Sequence, residues 1–129
     1  MQSPELAYAA EQATLRVLVV DDDEAVRTVL SHVLGDEGFD VVGVAADGLE
    51  AVTLARTLRP DTILLDVRMP GVGGIEAARR IRPIDPHVRL VMLSAYDDPT
   101  LQREAADAGA SRFLIKGCAL SELVDAIAG

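Results

Sequence analysis

The 129-residue chain contains one cysteine, no tryptophan, two tyrosines and two phenylalanines, so aromatics make up only 3% of it. A lone cysteine, Cys118, closes no internal disulfide and fits a reducing, cytoplasmic compartment. So few rings leave no stacking platform for single-stranded nucleic acid. Cations are also scarce: 12 Lys and Arg stand against 21 Asp and Glu, a net charge of −9. Phosphate backbones need a basic face, which argues against direct DNA or RNA binding by this stretch. No apolar run approaches the length of a membrane span. The N-terminus has no basic start followed by an apolar stretch, so no signal peptide is read there. His32 and His87 are not spaced as a metal pair and receive no role.

What is present is small, aliphatic and regularly punctuated. Hydrophobic residues make up 50% of the chain, mostly Ala, Val and Leu. The length suits one domain with a real core. Residues 1–13 form an N-terminal extension, where Ser3-Pro4-Glu5 reads as a cap, a first-turn proline and a first-turn acid. Leu6, Ala9, Ala10 and Ala13 follow at helical spacing and predict a short extra helix. From residue 14 to 129 the pattern is one domain of alternating strands and helices. Strands are expected at 15–20, 40–45, 62–66, 88–93 and 112–115. Helices are expected at 24–36, from Asp47 to Pro60, from Ile75 to Pro83, at 98–108 and at 119–128. Val26, Val29, Leu30, Val33 and Leu34 are assigned to the inward face of the first of these. Leu49, Val52, Leu54 and Leu58 are assigned to that of the second, and Leu120, Leu123, Val124 and Ile127 to that of the last. Gly35 and Gly38 read as stop signals, and Gly73-Gly74 as a loosened loop.

Strict alternation predicts a parallel sheet covered by helices on both faces. Leu18-Val19-Val20 and Leu90-Val91-Met92-Leu93 are apolar without alternation, as doubly covered strands should be. Ligands of such sheets bind at the carboxyl ends of the strands. There the first strand ends in Asp21-Asp22, the third in Asp66, the fourth in Ser94 and the fifth in Lys116. Three clustered carboxylates repel and call for a cation among them. Oxygen ligands without His or Cys suit Mg²⁺. A metal, a lysine and a hydroxyl together are what phosphoryl oxygens need around them, which leaves one carboxylate as nucleophile. Asp66, alone on its strand, is the candidate. Each residue also has a plainer reading: a helix cap for Asp21-Asp22-Asp23, turn residues for Asp66 and Ser94, a solvated cation for Lys116.

These stretches, Val17 to Asp23, Leu64 to Gly71, Val91 to Ala95 and Gly109 to Lys116, resemble the receiver domain of two-component response regulators. The resemblance covers about residues 14–128. It implies a flavodoxin-like (CheY-like) doubly wound α/β fold, with five parallel strands in the order 2-1-3-4-5 and five helices. It further implies phosphoryl transfer from a sensor histidine kinase, or a small phosphodonor, to Asp66. Asp22, Asp66 and the backbone carbonyl of Arg68 would hold Mg²⁺, with Asp21 reaching it through water. Lys116 would pair with the phosphoryl oxygens. Ser94 and Phe113 would switch the face made by the fourth helix, the fifth strand and the fifth helix. Arg68 and Tyr96 would tune access of water, and their bulk predicts slow loss of the phosphoryl group.

The pair Lys116-Gly117, after Phe113-Leu114-Ile115, is similar to the NarL/FixJ-like (LuxR-type) subfamily, whereas proline is usual after that lysine elsewhere in the family. Phe113 replaces the more common tyrosine and has no hydroxyl to satisfy when buried. The resemblance implies a transcriptional regulator that contacts DNA only through an output domain outside this chain; it admits a homodimer and no membrane partner. A stand-alone receiver and a degenerate docking module are the near alternatives. A phosphohydrolase of the haloacid-dehalogenase type is the distant one, but Asp21-Asp22-Asp23-Glu24-Ala25 lacks the Thr or Val its first motif needs.

Overall fold

The computed structural model describes residues 14–129; the short helix expected in 1–13 lies outside the described residues. The strands are β1 (Arg16–Val20), β2 (Asp40–Ala45), β3 (Thr62–Asp66), β4 (Arg89–Ser94) and β5 (Arg112–Ile115). The helices are α1 (Glu24–Asp36), α2 (Gly48–Leu58), α3 (Gly74–Ile81), α4 (Pro99–Asp107) and α5 (Leu120–Ala128). The strands form one parallel sheet in the order β2-β1-β3-β4-β5, as expected.

Every residue of β3 is buried, because helices cover both of its faces. On one face Val17, Val19, Leu64, Val91 and Leu93 pack with Leu34 of α1 and with Leu123, Ala126 and Ile127 of α5. On the other, Leu18, Val20, Ile63, Leu65, Leu90 and Met92 meet the small residues Ala51, Ala55, Ala77, Ala78 and Ala105 of α2, α3 and α4. Helix starts follow the expected chemistry. Asp23, Asp47 and Asp98 each accept backbone N–H bonds at the N-termini of α1, α2 and α4.

Three assignments of helix faces need correction. Val29 is 59% exposed, Leu49 57% and Leu120 41%. Helix α2 makes its tightest contact through Gly48, Ala51 and Ala55, with Val52, Leu54 and Leu58 partly buried against the core as expected. It sits so near the α3 entry loop that a Cβ on Gly48 would collide with the Val72 carbonyl. Small residues win at such a contact because larger ones would hold the helix off. Gly35 does not stop α1, which runs through it to Asp36; the chain turns at Gly38, whose φ is 95°. Gly74 does not loosen its loop either. It begins α3, and a Cβ there would clash with the backbone carbonyl of Asp66.

Candidate functional site

The parallel order brings the ends of β1, β3, β4 and β5 to one rim. Asp21, Asp22, Asp66, Arg68, Ser94 and Lys116 line a cavity of about 270 Å³ there. The aspartate run after β1 divides its work. Asp23 faces its own helix, accepting from the N–H groups of Ala25 and Val26. Asp21 is turned inward and 1% exposed, and Asp22 is exposed at the rim. The plain capping reading therefore holds for Asp23 and fails for its two neighbours. Carboxylate oxygens of Asp21, Asp22 and Asp66 lie within 4.8 Å of one another.

Lys116 holds this cluster together. Its Nζ lies 3.0 Å from Asp21 Oδ2 and 3.2 Å from Asp66 Oδ2. It is also the only lysine in the chain, every other basic side chain being arginine. That singularity was a signal in the sequence which spacing alone did not use. Lys116 and Gly117 form the corner of a turn closed by the Cys118 N–H on the Ile115 carbonyl, at 3.1 Å. Gly117 has a φ of 89°, a conformation glycine takes without penalty.

Electrostatics single out Asp66. Burial, then repulsion by Asp21, pushes its carboxyl up to about 6, against partial relief from Lys116 and from the backbone N–H of Arg68. Burial works against the Lys116 charge, but its bond to Asp21 and the charges of Asp66 and Asp21 outweigh that and lift the ammonium above its usual range. With all groups ionised, three carboxylates and one ammonium leave a double negative charge. An all-oxygen donor set with one member, Asp22, open to water fits a hard divalent ion that retains part of its hydration.

Ser94 is 1% exposed at the cavity wall. Its Oγ accepts from the Tyr96 N–H at 3.0 Å and donates to the Tyr96 carbonyl at 2.9 Å. The turn role and the site position thus coincide. Arg68 and Tyr96, expected to tune access of water, meet each other: the guanidinium carbon lies 5.4 Å from the ring centroid. Phe113 does not line the cavity. It is half-buried against the α2–α4 side of the core.

The profile of the response regulator receiver domain matches residues 17–128. The chain belongs to this family. It is 41% identical over 114 residues to the response regulator GacA of Pseudomonas aeruginosa, a match covering 88% of this chain and 53% of GacA. It therefore spans about half the length of the curated relatives it matches. Among solved structures, a LuxR-family response regulator from Aurantimonas is similar with a TM-score of 0.84 and 37% identity, over 88% of this chain and 82% of that one. CheY from Borrelia burgdorferi, in a complex with CheX, BeF₃ and Mg, is similar with a TM-score of 0.82 and 30% identity, over 88% and 86%. The chain is a two-component response regulator receiver domain of the NarL/FixJ-like type. Among its described residues no helix is long and apolar enough to cross a membrane.

Proposed function

We propose that Asp66 accepts a phosphoryl group in a Mg²⁺-dependent reaction, and that the modified domain controls an output function. The observation that carries this reading is the contact of a buried strand-end carboxylate with the only lysine, inside a three-carboxylate cluster. A carboxylate oxygen of Asp66 attacks phosphorus as the bond to the donor's imidazole nitrogen, or to the acyl oxygen of a small phosphodonor, breaks. The leaving group takes the electron pair of that bond, and an acyl phosphate forms on Asp66. Lys116, released from one carboxylate charge, is placed to pair with the phosphoryl oxygens. Asp21, Asp22, Asp66 and the Arg68 carbonyl are the groups that would hold Mg²⁺. The ion would supply charge neutralisation, for the carboxylates and for the incoming oxygens.

The donor class is the phosphohistidine of a sensor kinase, in a cytoplasmic setting. The relatives are response and transcriptional regulators, which supports transcription control through a DNA-binding output domain; dimerisation through the switch face would fit that role. Ser94 and Phe113 are the proposed switch residues. Arg68 and Tyr96 give a slow loss of the phosphoryl group, over minutes or longer rather than seconds. Nothing in the site favours the phosphohydrolase alternative, since position 25 is Ala25.

The test is intact mass after incubation with Mg²⁺ and acetyl phosphate. A phosphoryl-sized gain in wild type and none in Asp66→Ala is the expected result. An equal gain in both proteins would remove Asp66 from the role.

A further inference from the structure

The stack of Arg68 on Tyr96 belongs to a run of contacts that leads from Asp66 to Ser94. The Arg68 backbone favours the ionised Asp66 carboxylate, and its guanidinium lies over the Tyr96 ring. The Tyr96 backbone in turn holds Ser94 Oγ through both its N–H and its carbonyl. A hydroxyl has one proton. Here that proton is spent on the Tyr96 carbonyl, so Ser94 has none to offer an oxygen inside the cavity it lines. Tyr96 is 59% exposed, so the core does little to hold its ring in place. The stack is the one cation–ring contact among the described residues.

Building on the phosphoacceptor reading above, we propose that the Arg68–Tyr96 stack is a latch. It keeps the Ser94 hydroxyl engaged with Tyr96, and a phosphoryl group on Asp66 releases it by drawing the guanidinium off the ring. Arg68 lines the same cavity as Asp66 and follows it by two residues. An exposed cation–ring contact shifts an equilibrium by only about 2–5-fold. A phosphoryl dianion offers the same guanidinium paired, charge-assisted hydrogen bonds, which are the stronger interaction. With the ring released, the 94–96 turn can open and the Ser94 proton becomes available to a phosphoryl oxygen. Arg68 and Tyr96 are thus positioning residues that act through Ser94.

The experiment titrates beryllofluoride with Mg²⁺ into wild type, Tyr96→Phe and Tyr96→Leu, following backbone amide resonances. The phenyl ring preserves the stacking face and leucine removes it. Wild type and Tyr96→Phe should bind alike. Tyr96→Leu should bind about 2–5-fold more tightly, and its Ser94 amide should already move, before any addition, toward the position it takes in the bound wild type. Arg68→Ala should shift the same amide in the free protein. Normal binding by wild type with equal or weaker binding by Tyr96→Leu, or an unmoved Ser94 amide, would overturn the latch alone. Failure of wild type to bind beryllofluoride would overturn the phosphoacceptor reading and the latch with it.

Discussion

Near pH 3 the Asp66 carboxyl holds its proton whether the chain is folded or not, since both states titrate above that. In the unfolded chain it ionises near its ordinary value of 3.8, in the folded chain at about 6. Between these values the folded state retains a proton that the unfolded state has lost, so rising pH removes stability across this window. The loss is complete above the folded value; the full shift corresponds to about 3 kcal/mol, which solvent screening at the open cavity reduces to about 2 kcal/mol. Metal-free Asp66→Asn should therefore exceed wild type in stability by about this much at about pH 7.5, with the gap closing toward about pH 4. Urea unfolding at the two pH values measures it; a variant less stable than wild type at the higher pH would contradict the account. Added Mg²⁺ favours the ionised cluster. Thermal melts should show wild type stabilised by Mg²⁺ and returned by EDTA, and Asp66→Asn shifted much less; equal shifts would place the ion elsewhere. The residues of this cluster were legible in the sequence because they stand at the ends of different strands, Asp21 and Asp22 together after the first. The Arg68–Tyr96 contact was not, because it depends on how two loops from β3 and β4 lean toward each other.

At the scale of elements, the first turn of α3 is what fixes the backbone of Asp66. Gly74 donates its N–H to the Val67 carbonyl at 2.9 Å while its Cα faces the Asp66 carbonyl. Gly74→Ala should push α3 away from the end of β3, costing about 1–3 kcal/mol as overpacking does, and should weaken Mg²⁺ binding with it. Denaturant unfolding and a Mg²⁺ titration check both; wild-type values for both would show that the close approach is not required. Strands, caps and strand ends were legible here, since apolar runs and capping aspartates act locally. The buried faces of α1, α2 and α5 were less so. Val29, Leu49 and Leu120 are large and apolar yet exposed, whereas Gly48, Ala51 and Ala55 make the tight contact. Large apolar residues mark where hydrophobicity lies, but closeness of approach is set by the small ones.

At the scale of the molecule, a change at Asp66 has to reach a surface that a partner can read. Phe113 is one strand over from Ser94: it pairs with Met92, two residues before Ser94 on β4. It is half-buried, packed against the α2–α4 side of the core. Hydrogen exchange with and without beryllofluoride and Mg²⁺ should change in residues 94–98 and 112–116 as well as beside Asp66. Changes confined to 66–71 would mean that the signal does not travel through Phe113. The sheet order was legible only through the resemblance, because alternation of strands and helices fixes parallel pairing but not which strand lies at the centre.

The most direct measurement is chemical identification of the acceptor. After phosphorylation by acetyl phosphate with Mg²⁺, borohydride reduces an aspartyl phosphate to homoserine, and peptide mass mapping locates it. The account predicts homoserine at position 66 and aspartate at positions 21 and 22. Homoserine at 21 or 22, with Asp66 unchanged, would contradict it.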